Sequence, residues 1–298
     1  MNVLVTGVAG QLGFDVINEL IKRGHNAVGS DIISKEKMSL TCEYIELDIT
    51  DSKTVESCIT LLKPDAVVHC AAWTAVDAAE EEENKSKVLS INVIGTENIA
   101  KAALKVNAKL LYVSTDYVFD GSGEKPWEVN DKPSPINFYG NSKLLGEKVV
   151  SQLMSRFFIV RTSWAFGMNG NNFVKTILGL GKKYETLRVV NDQIGTPTYT
   201  FDLARLLVDM IETDKYGIYH ATNEGGYISW CDFAKEILKI VDSKTIIIPI
   251  TSREYSLSKA TRPLNSRLGK SCINSNGFKL LPSWQDAIQR YIKILELK

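Results

Sequence analysis

Val3-Leu4-Val5-Thr6-Gly7-Val8-Ala9-Gly10-Gln11-Leu12-Gly13 stands at the start of the chain, and its reading decides the fold. Apolar, β-favouring residues run straight into a glycine turn, and an apolar-periodic segment through Leu20 and Ile21 follows at helical spacing. The pattern predicts strand, tight turn, helix. The glycines recur as Gly7-x-x-Gly10-x-x-Gly13. Gly7 permits the turn, Gly10 lets backbone approach a pyrophosphate, Gly13 lets helix and strand pack closely, and the free N–H groups of the helix start meet the phosphates. Glycines also end strands where no ligand binds, so context has to decide. A second short apolar strand, residues 26–30, ends on Asp31, about 20 residues beyond the glycines, where a ribose-binding carboxylate is expected. Such a carboxylate accepts hydrogen bonds from ribose hydroxyls and repels the extra phosphate of NADP. NADH is therefore the expected cofactor, with Lys35 and Lys37 leaving room for NADPH.

Moving outward, Tyr44 to Ile49 reads as a strand closing on Asp48, followed by Thr50-Asp51 as capping residues of a helix through Val55 to Leu62. Asp48 either belongs to that turn or faces an adenine amino group. Ala66 to Ala72 is an apolar run suited to a strand buried on both faces, with Ala71 and Ala72 small where the cofactor backbone would pass. The acidic run Glu80 to Glu83 reads as a solvated helix start without a catalytic role. Val88 to Leu104 reads as one long helix and Lys109 to Ser114 as another buried strand. Strands and helices alternate throughout, which implies an α/β, Rossmann-type, doubly wound parallel sheet.

The 298 residues, 44% hydrophobic and 23% charged, suffice for one large or two closely joined domains. Thirty-five basic and 35 acidic residues cancel, so no global field favours nucleic acid or an anionic membrane. No basic-then-apolar leader opens the chain and no apolar run approaches the ~20 residues that span a bilayer, so the expected location is cytoplasmic. Cys42, Cys58, Cys70, Cys231 and Cys272 are odd in number and lack C-x-x-C pairing, which argues for reduced packing residues. His25, His69 and His220 show no ligand spacing, so no metal site is expected.

Ser114-Thr115-Asp116 ends a strand at the sheet edge where this architecture places ligands. Further on, Tyr139 and Lys143 are four apart on one helix face. A neighbouring ammonium favours a phenolate and would bring the tyrosine towards working range, and Thr115 can add a hydrogen bond to the same substrate oxygen. Together the three would protonate a carbonyl oxygen while a nicotinamide delivers hydride to its carbon. A Tyr-x-x-x-Lys pair is often only a surface contact; the glycine turn, Asp31 and the strand end upstream give it a chemical reading.

From Phe157 the pattern becomes mixed. A strand leads to Trp164, a Gly/Asn loop and a helix from Phe173; Arg188 to Asn191, a helix over 202–211, a strand over 216–221, a helix over 230–240 and a terminal helix over 284–297 follow. We expect residues 1–160 to form the dinucleotide-binding part, with 187–215 returning to it, and residues 161–186 and 216–298 to form mainly a smaller interleaved α/β substrate-binding cap. Arg253, Arg262 and Arg267 lie in a loop-rich stretch, and a guanidinium suits a diphosphate.

The chain resembles the extended short-chain dehydrogenase/reductase family, and within it the rhamnose reductases. The resemblance rests on the glycine turn, Tyr139-x-x-x-Lys143, Ala71-Ala72-Trp73-Thr74-Ala75-Val76-Asp77, Ser114-Thr115-Asp116-Tyr117-Val118-Phe119, Arg161-Thr162-Ser163-Trp164, Asp192-Gln193-x-Gly195-x-Pro197-Thr198 and Arg262-Pro263-x-x-Ser266, over nearly the whole chain. It implies a cytoplasmic NAD(P)H-dependent reductase of a dTDP-sugar, acting on dTDP-4-dehydro-6-deoxy-L-mannose. Tyr139 would be the proton donor; Lys143 would orient the nicotinamide ribose and tune Tyr139; Thr115 would polarise the C4 carbonyl. The implied cofactor-binding residues are Gly7, Gly10, Gln11, Leu12, Asp31, Asp48, Ile49, Ala71, Ala72 and Thr74, with Tyr139 and Lys143. Thr115, Asp116, Trp164 and Arg262 would meet the substrate. A homodimer is possible, and some relatives dimerise through magnesium held by acidic residues, of which Asp15 occupies one place. Trp73 departs from the smaller or imidazole side chain usual there. Competing readings are another nucleotide-sugar reductase or epimerase, and a non-catalytic dinucleotide-binding regulatory subunit.

Overall fold

The computed structural model describes residues 1–37, 42–255 and 257–296. Of the lysines near Asp31, the side chain of Lys37 lies outside the described residues, as does Leu297 at the chain end. The first half alternates as expected: β1 (Asn2–Thr6), α1 (Gln11–Lys22), β2 (Asn26–Asp31), β3 (Glu43–Glu46), α2 (Ser52–Leu62), β4 (Ala66–His69), α3 (Glu82–Leu89), α4 (Thr96–Lys105), β5 (Lys109–Thr115), α5 (Phe138–Leu153) and β6 (Phe157–Thr162). Then come β7 (Ala165–Phe166), α6 (Phe173–Gly181), β8 (Thr186–Val190), β9 (Ile194–Gly195), β10 (Thr198–Tyr199), α7 (Thr200–Ile211), β11 (Gly217–His220), β12 (Ile228–Ser229), α8 (Trp230–Ile240), β13 (Ile246–Ile250), α9 (Ser271–Ser275) and α10 (Trp284–Glu296).

Seven parallel strands make the main sheet in the order β11-β6-β5-β4-β1-β2-β3. The order reverses at β1, so a crevice opens beyond the carboxyl ends of β1 and β4. Apolar strands suit this sheet because both faces are covered. On one face, Val3, Val5 and Val68 pack with Val16, Leu20, Leu203 and Leu207 of α1 and α7. On the other, Leu4, Val67 and Tyr112 pack with Ile59, Ile99, Ala103 and Val150 of α2, α4 and α5. Each fully buried aliphatic side chain contributes about 1.5–3 kcal/mol, so the continuous apolar strands are themselves the main source of cohesion.

Three expectations are corrected. Residues 187–215 do not return to the main sheet as a unit: β8 pairs in parallel with β13, and the return begins only with α7, which packs on α1. Conversely β11 leaves the expected cap segment to extend the main sheet beside β6. Its Tyr219 fills the sheet's core beside Phe158, which outweighs sequence proximity to the cap. The long helix over 88–104 is interrupted by a π-helical segment, Ser90–Gly95, between α3 and α4. There Asn92 turns inward, accepting from Trp73 N at 2.8 Å and donating to Ser142 Oγ at 2.8 Å and Trp73 O at 3.2 Å. Such π-segments are frequent at functional sites.

A second core joins Phe166, Val174, Phe233, Ile237, Trp284, Ile288 and Tyr291, so α10 packs on α6 and α8 over the ligand edge of the sheet. Among the described residues no helix is long and apolar enough to cross a membrane.

Candidate active site

The glycine turn is built as its spacing predicts. Gly7 has φ +75°, a left-handed conformation, and a Cβ there would strike Ala71 N at 2.6 Å. A Cβ on Gly13 would run into the carbonyl of Gly7, so α1 seats directly on the turn. Gly10 caps α1 with no side-chain hydrogen bond to its first turn, leaving helix N–H groups facing the crevice for an anion. Asp31 ends β2; its Oδ2 accepts from Ala9 N at 3.0 Å and its Oδ1 from Ile32 N at 2.9 Å. Asp48 accepts from Thr50 N at 2.8 Å within the turn and also lines the crevice. The residues present therefore fit a dinucleotide: an uncapped helix start, a backbone cradle and a terminal carboxylate.

One cavity of about 720 Å³ runs from this turn to the strand end at Thr115, and its wall holds every expected cofactor-binding residue together with Thr115, Asp116, Tyr139, Lys143 and Trp164. Asn137 caps α5, accepting from Gly140 N at 2.7 Å, and so fixes the helix start that presents Tyr139. Tyr139 and Thr115 share this wall. Burial pushes the Tyr139 phenol well above its ordinary range, and the Asp116 carboxylate adds to the shift. This corrects the expectation that a neighbouring ammonium draws the phenol down. Burial dominates at Lys143 as well, pulling its ammonium down to about 7. The phenol thus keeps its proton, which is the state a carbonyl reduction requires. Asp116, 3% exposed, is pushed up to about 6 by burial; its Oδ1 accepts from Thr115 Oγ1 at 3.0 Å, and its buried Oδ2 has no hydrogen-bond partner among the described residues.

Trp164 adopts φ +50°, unusual for so large a side chain, and stacks on Trp230 with ring centroids 3.7 Å apart at 14°. Gly195 lies against its edge, where a Cβ would come within 2.9 Å of the ring. Trp230 and Lys87 also line the cavity and were not singled out from the sequence. Trp230 opens α8 behind the Ser229–Asp232 capping box, a signal of a helix start and not of a site.

Arg262 is placed differently. It is absent from the cavity wall and pairs with Asp77, Nη2 to Oδ2 at 2.6 Å and Nη1 to Oδ1 at 3.1 Å. Asp77 Oδ1 also accepts from Lys259 N at 2.9 Å and Ala260 N at 3.0 Å. The pair ties the loop after β4 to the loop after β13. Trp73 stands outside the cavity wall too, donating from Nε1 to Ala75 O at 3.0 Å. Glu80 is more than a solvated acid: its Oε1 accepts from Phe138 N at 2.7 Å at the start of α5.

Asp15 is 7% exposed and accepts a hydrogen bond from Thr200 Oγ1, while the neighbouring Asp202 is paired with Arg290 at 2.6 Å. Among the described residues no group of three or more potential ligands could hold a metal. Burial pushes Asp15 up to about 6, the Thr200 bond opposing and Asp202 adding to the rise. With the folded value above the unfolded one, ionising Asp15 costs stability as pH rises from about 4 to 6, and the full cost is present above that. Asp15→Asn should therefore raise stability by roughly 2–3 kcal/mol at pH 7.5, with little gain near pH 4. Urea unfolding at the two pH values checks this.

A nucleotide-binding turn at one end of the crevice and a Thr–Tyr–Lys set at the other, on a doubly wound sheet with a covering cap, define an extended short-chain dehydrogenase/reductase. The family profile described as RmlD substrate binding domain matches residues 1–297. A dTDP-4-dehydrorhamnose reductase from Aggregatibacter actinomycetemcomitans is 40% identical over 96% of this chain and 97% of its own. A dTDP-4-keto-6-deoxy-D-glucose reductase from Streptomyces niveus is 32% identical over 98% of this chain and 96% of its own. The crystal structure of a Bacillus anthracis dTDP-4-dehydrorhamnose reductase in complex with NADP superposes with a TM-score of 0.89, at 39% identity and 98% coverage of both chains. This chain belongs to the dTDP-4-dehydrorhamnose reductase family.

Proposed function

We propose that this protein reduces dTDP-4-dehydro-6-deoxy-L-mannose to dTDP-L-rhamnose. The observation that carries the reading is the convergence of Thr115, Tyr139 and Lys143 on the wall of the cavity that begins at the glycine turn. A nicotinamide dinucleotide, when bound, supplies the hydride for C4. Tyr139 donates its phenolic proton to the C4 oxygen, Thr115 hydrogen-bonds that oxygen, and Lys143 orients the nicotinamide ribose. Gly7, Gly10, Gln11 and Leu12 receive the pyrophosphate; Asp31 and Asp48, with Ile49, bound the adenosine end; Ala71, Ala72 and Thr74 flank the path between. Asp116 and Trp164 meet the sugar nucleotide, under the cap formed by β8, β13, α6, α8 and α10. Arg262 serves the site by holding its loops to Asp77.

Asp31 favours NADH, since its carboxylate repels a ribose phosphate. Purified protein mixed with the ketosugar should oxidise NADH stoichiometrically, with a lower kcat/KM for NADPH. Asp31→Ala should weaken NADH binding about tenfold or more, the loss expected for a charged hydrogen-bond acceptor, and narrow the preference. Absence of oxidation with either cofactor in folded protein would overturn the reading, and an epimerase would consume no cofactor. The Streptomyces niveus relative supplies a second candidate sugar for the same assay, dTDP-4-keto-6-deoxy-D-glucose.

A further inference from the structure

Lys143 is 3% exposed, with Nζ 4.0 Å from the centroid of the Tyr112 ring, and among the described residues it forms no ion pair. One turn further along α5 lies Glu147, so Tyr139, Lys143 and Glu147 share a helix face. Both oxygens of Glu147 are held. Oε2 accepts from Arg161 Nη2 at 2.7 Å, and Oε1 accepts from Arg161 Nε at 2.9 Å and from Ser114 Oγ at 2.5 Å. The two side chains are 3% and 5% exposed. A buried carboxylate needs a hydrogen-bonded counter-charge, and the guanidinium fork supplies it from β6. Arg161 is itself seated by Phe119, 5.1 Å from its ring, by Val129 O at 3.4 Å and by His220 Nε2 at 3.3 Å.

We propose that Glu147, locked by Arg161 and Ser114, is a positioning residue that keeps Lys143 in its ammonium form beside Tyr139. The role rests on Tyr139 and Lys143 being the reacting pair. Asp116 brings negative charge to the same cavity, but its charge acts on Tyr139. Four other titratable groups lie around Lys143, and none of these four supplies negative charge near neutral pH. His69, held between Thr6 and Thr96, is pushed down to about 3 by burial and the Lys143 charge. Burial pushes the Cys70 thiol up to about 12 and pushes the Tyr112 and Tyr139 phenols up as well. Burial alone would strip the Lys143 ammonium, and Glu147 is the first influence opposing it. Arg161 thereby gains a use that its place beside Trp164 in the sequence did not disclose.

The test is the double variant Glu147→Gln/Arg161→Met, because removing both charges of a buried pair is tolerated far better than removing one. Lysine labelled with ¹³C at Cε is titrated by NMR in protein without substrate or cofactor, and the Lys143 signal is assigned by its loss in Lys143→Met. In the double variant the Lys143 midpoint should fall by about one pH unit or more, a tenfold loss of ammonium at a given pH, and the alkaline limb of kcat should move with it. An unchanged or raised midpoint in folded protein overturns the proposal. Glu147→Asp keeps the pair and draws the carboxylate back by one methylene, so it should lower the midpoint by less; no movement there overturns the proposal even if the double variant does not fold. The midpoint is read without turnover, so a wild-type protein that fails to oxidise NADH would refute the reductase reading alone.

Discussion

Tyr139→Phe should lower ketosugar-dependent NADH oxidation by about 10³-fold while leaving the NADH dissociation constant within a few-fold of wild type. The asymmetry follows from what the hydroxyl does. The ring of Tyr139 packs edge-on to Tyr117 at 6.0 Å, and phenylalanine preserves that contact. Only the hydroxyl and its proton disappear, and α1 with its glycine turn is untouched. Burial and the Asp116 charge hold the phenol above its ordinary range, so wild-type Tyr139 stays loaded with its proton through neutral pH. Its titration therefore imposes no limb on the pH profile between 6 and 9. The alkaline loss should instead follow Lys143, pulled down to about 7 by burial. Steady-state rates and fluorescence titration of NADH, both across pH, test the two statements together. Full activity in the phenylalanine variant would remove Tyr139 from the chemistry.

Gly13→Ala should have the other large effect, on cofactor binding. The added Cβ would meet the carbonyl oxygen of Gly7, with Gly7 C at 2.7 Å and Val8 Cα at 3.0 Å, and none of these is the far end of a flexible side chain. Relief requires α1 to lift from the turn, which displaces the N–H groups that receive phosphate. Overpacking of this kind costs about 1–3 kcal/mol of stability. NADH affinity should fall by about tenfold or more, since an anion bound to backbone donors depends on their geometry. Isothermal titration with NADH and a urea melt separate the two losses; unaltered affinity would show that the turn tolerates the movement.

The dinucleotide half of the site was legible because its demands are local. A turn with positive φ, a close helix–strand contact and a carboxylate at a strand end each leave a mark at fixed spacing, and Gly7, Gly13 and Asp31 carry those marks. Tyr139 and Lys143 were legible as a pair on one helix face, whereas their electrostatic state was not. Burial, with the charge of Asp116 added to it, reversed the expected direction at Tyr139. The cap was the least legible part. Its short strands pair across 60-residue separations, as β8 does with β13, and no local period distinguishes them from the strands of the main sheet. Trp230, likewise, announces a helix start, and only the fold turns it towards Trp164. Arg262 shows the same limit from the other side: its chemistry suits an anion, and the structure gives it Asp77 as that anion.

The Asp77–Arg262 clamp also sets a schedule. Its two partners lie 185 residues apart, and every backbone bond that Asp77 accepts from Lys259 and Ala260 spans a similar distance. At ribosomal rates of about 5–20 residues per second, roughly 9–37 seconds of synthesis separate the two halves. The glycine turn, Asp31 and the strands β1, β2 and β4 have all emerged long before then. A nascent chain therefore owns the parts of its nucleotide cradle while the loop after β4 still hangs without its fastening, and the join between that loop and the one after β13 is made among the last events of manufacture.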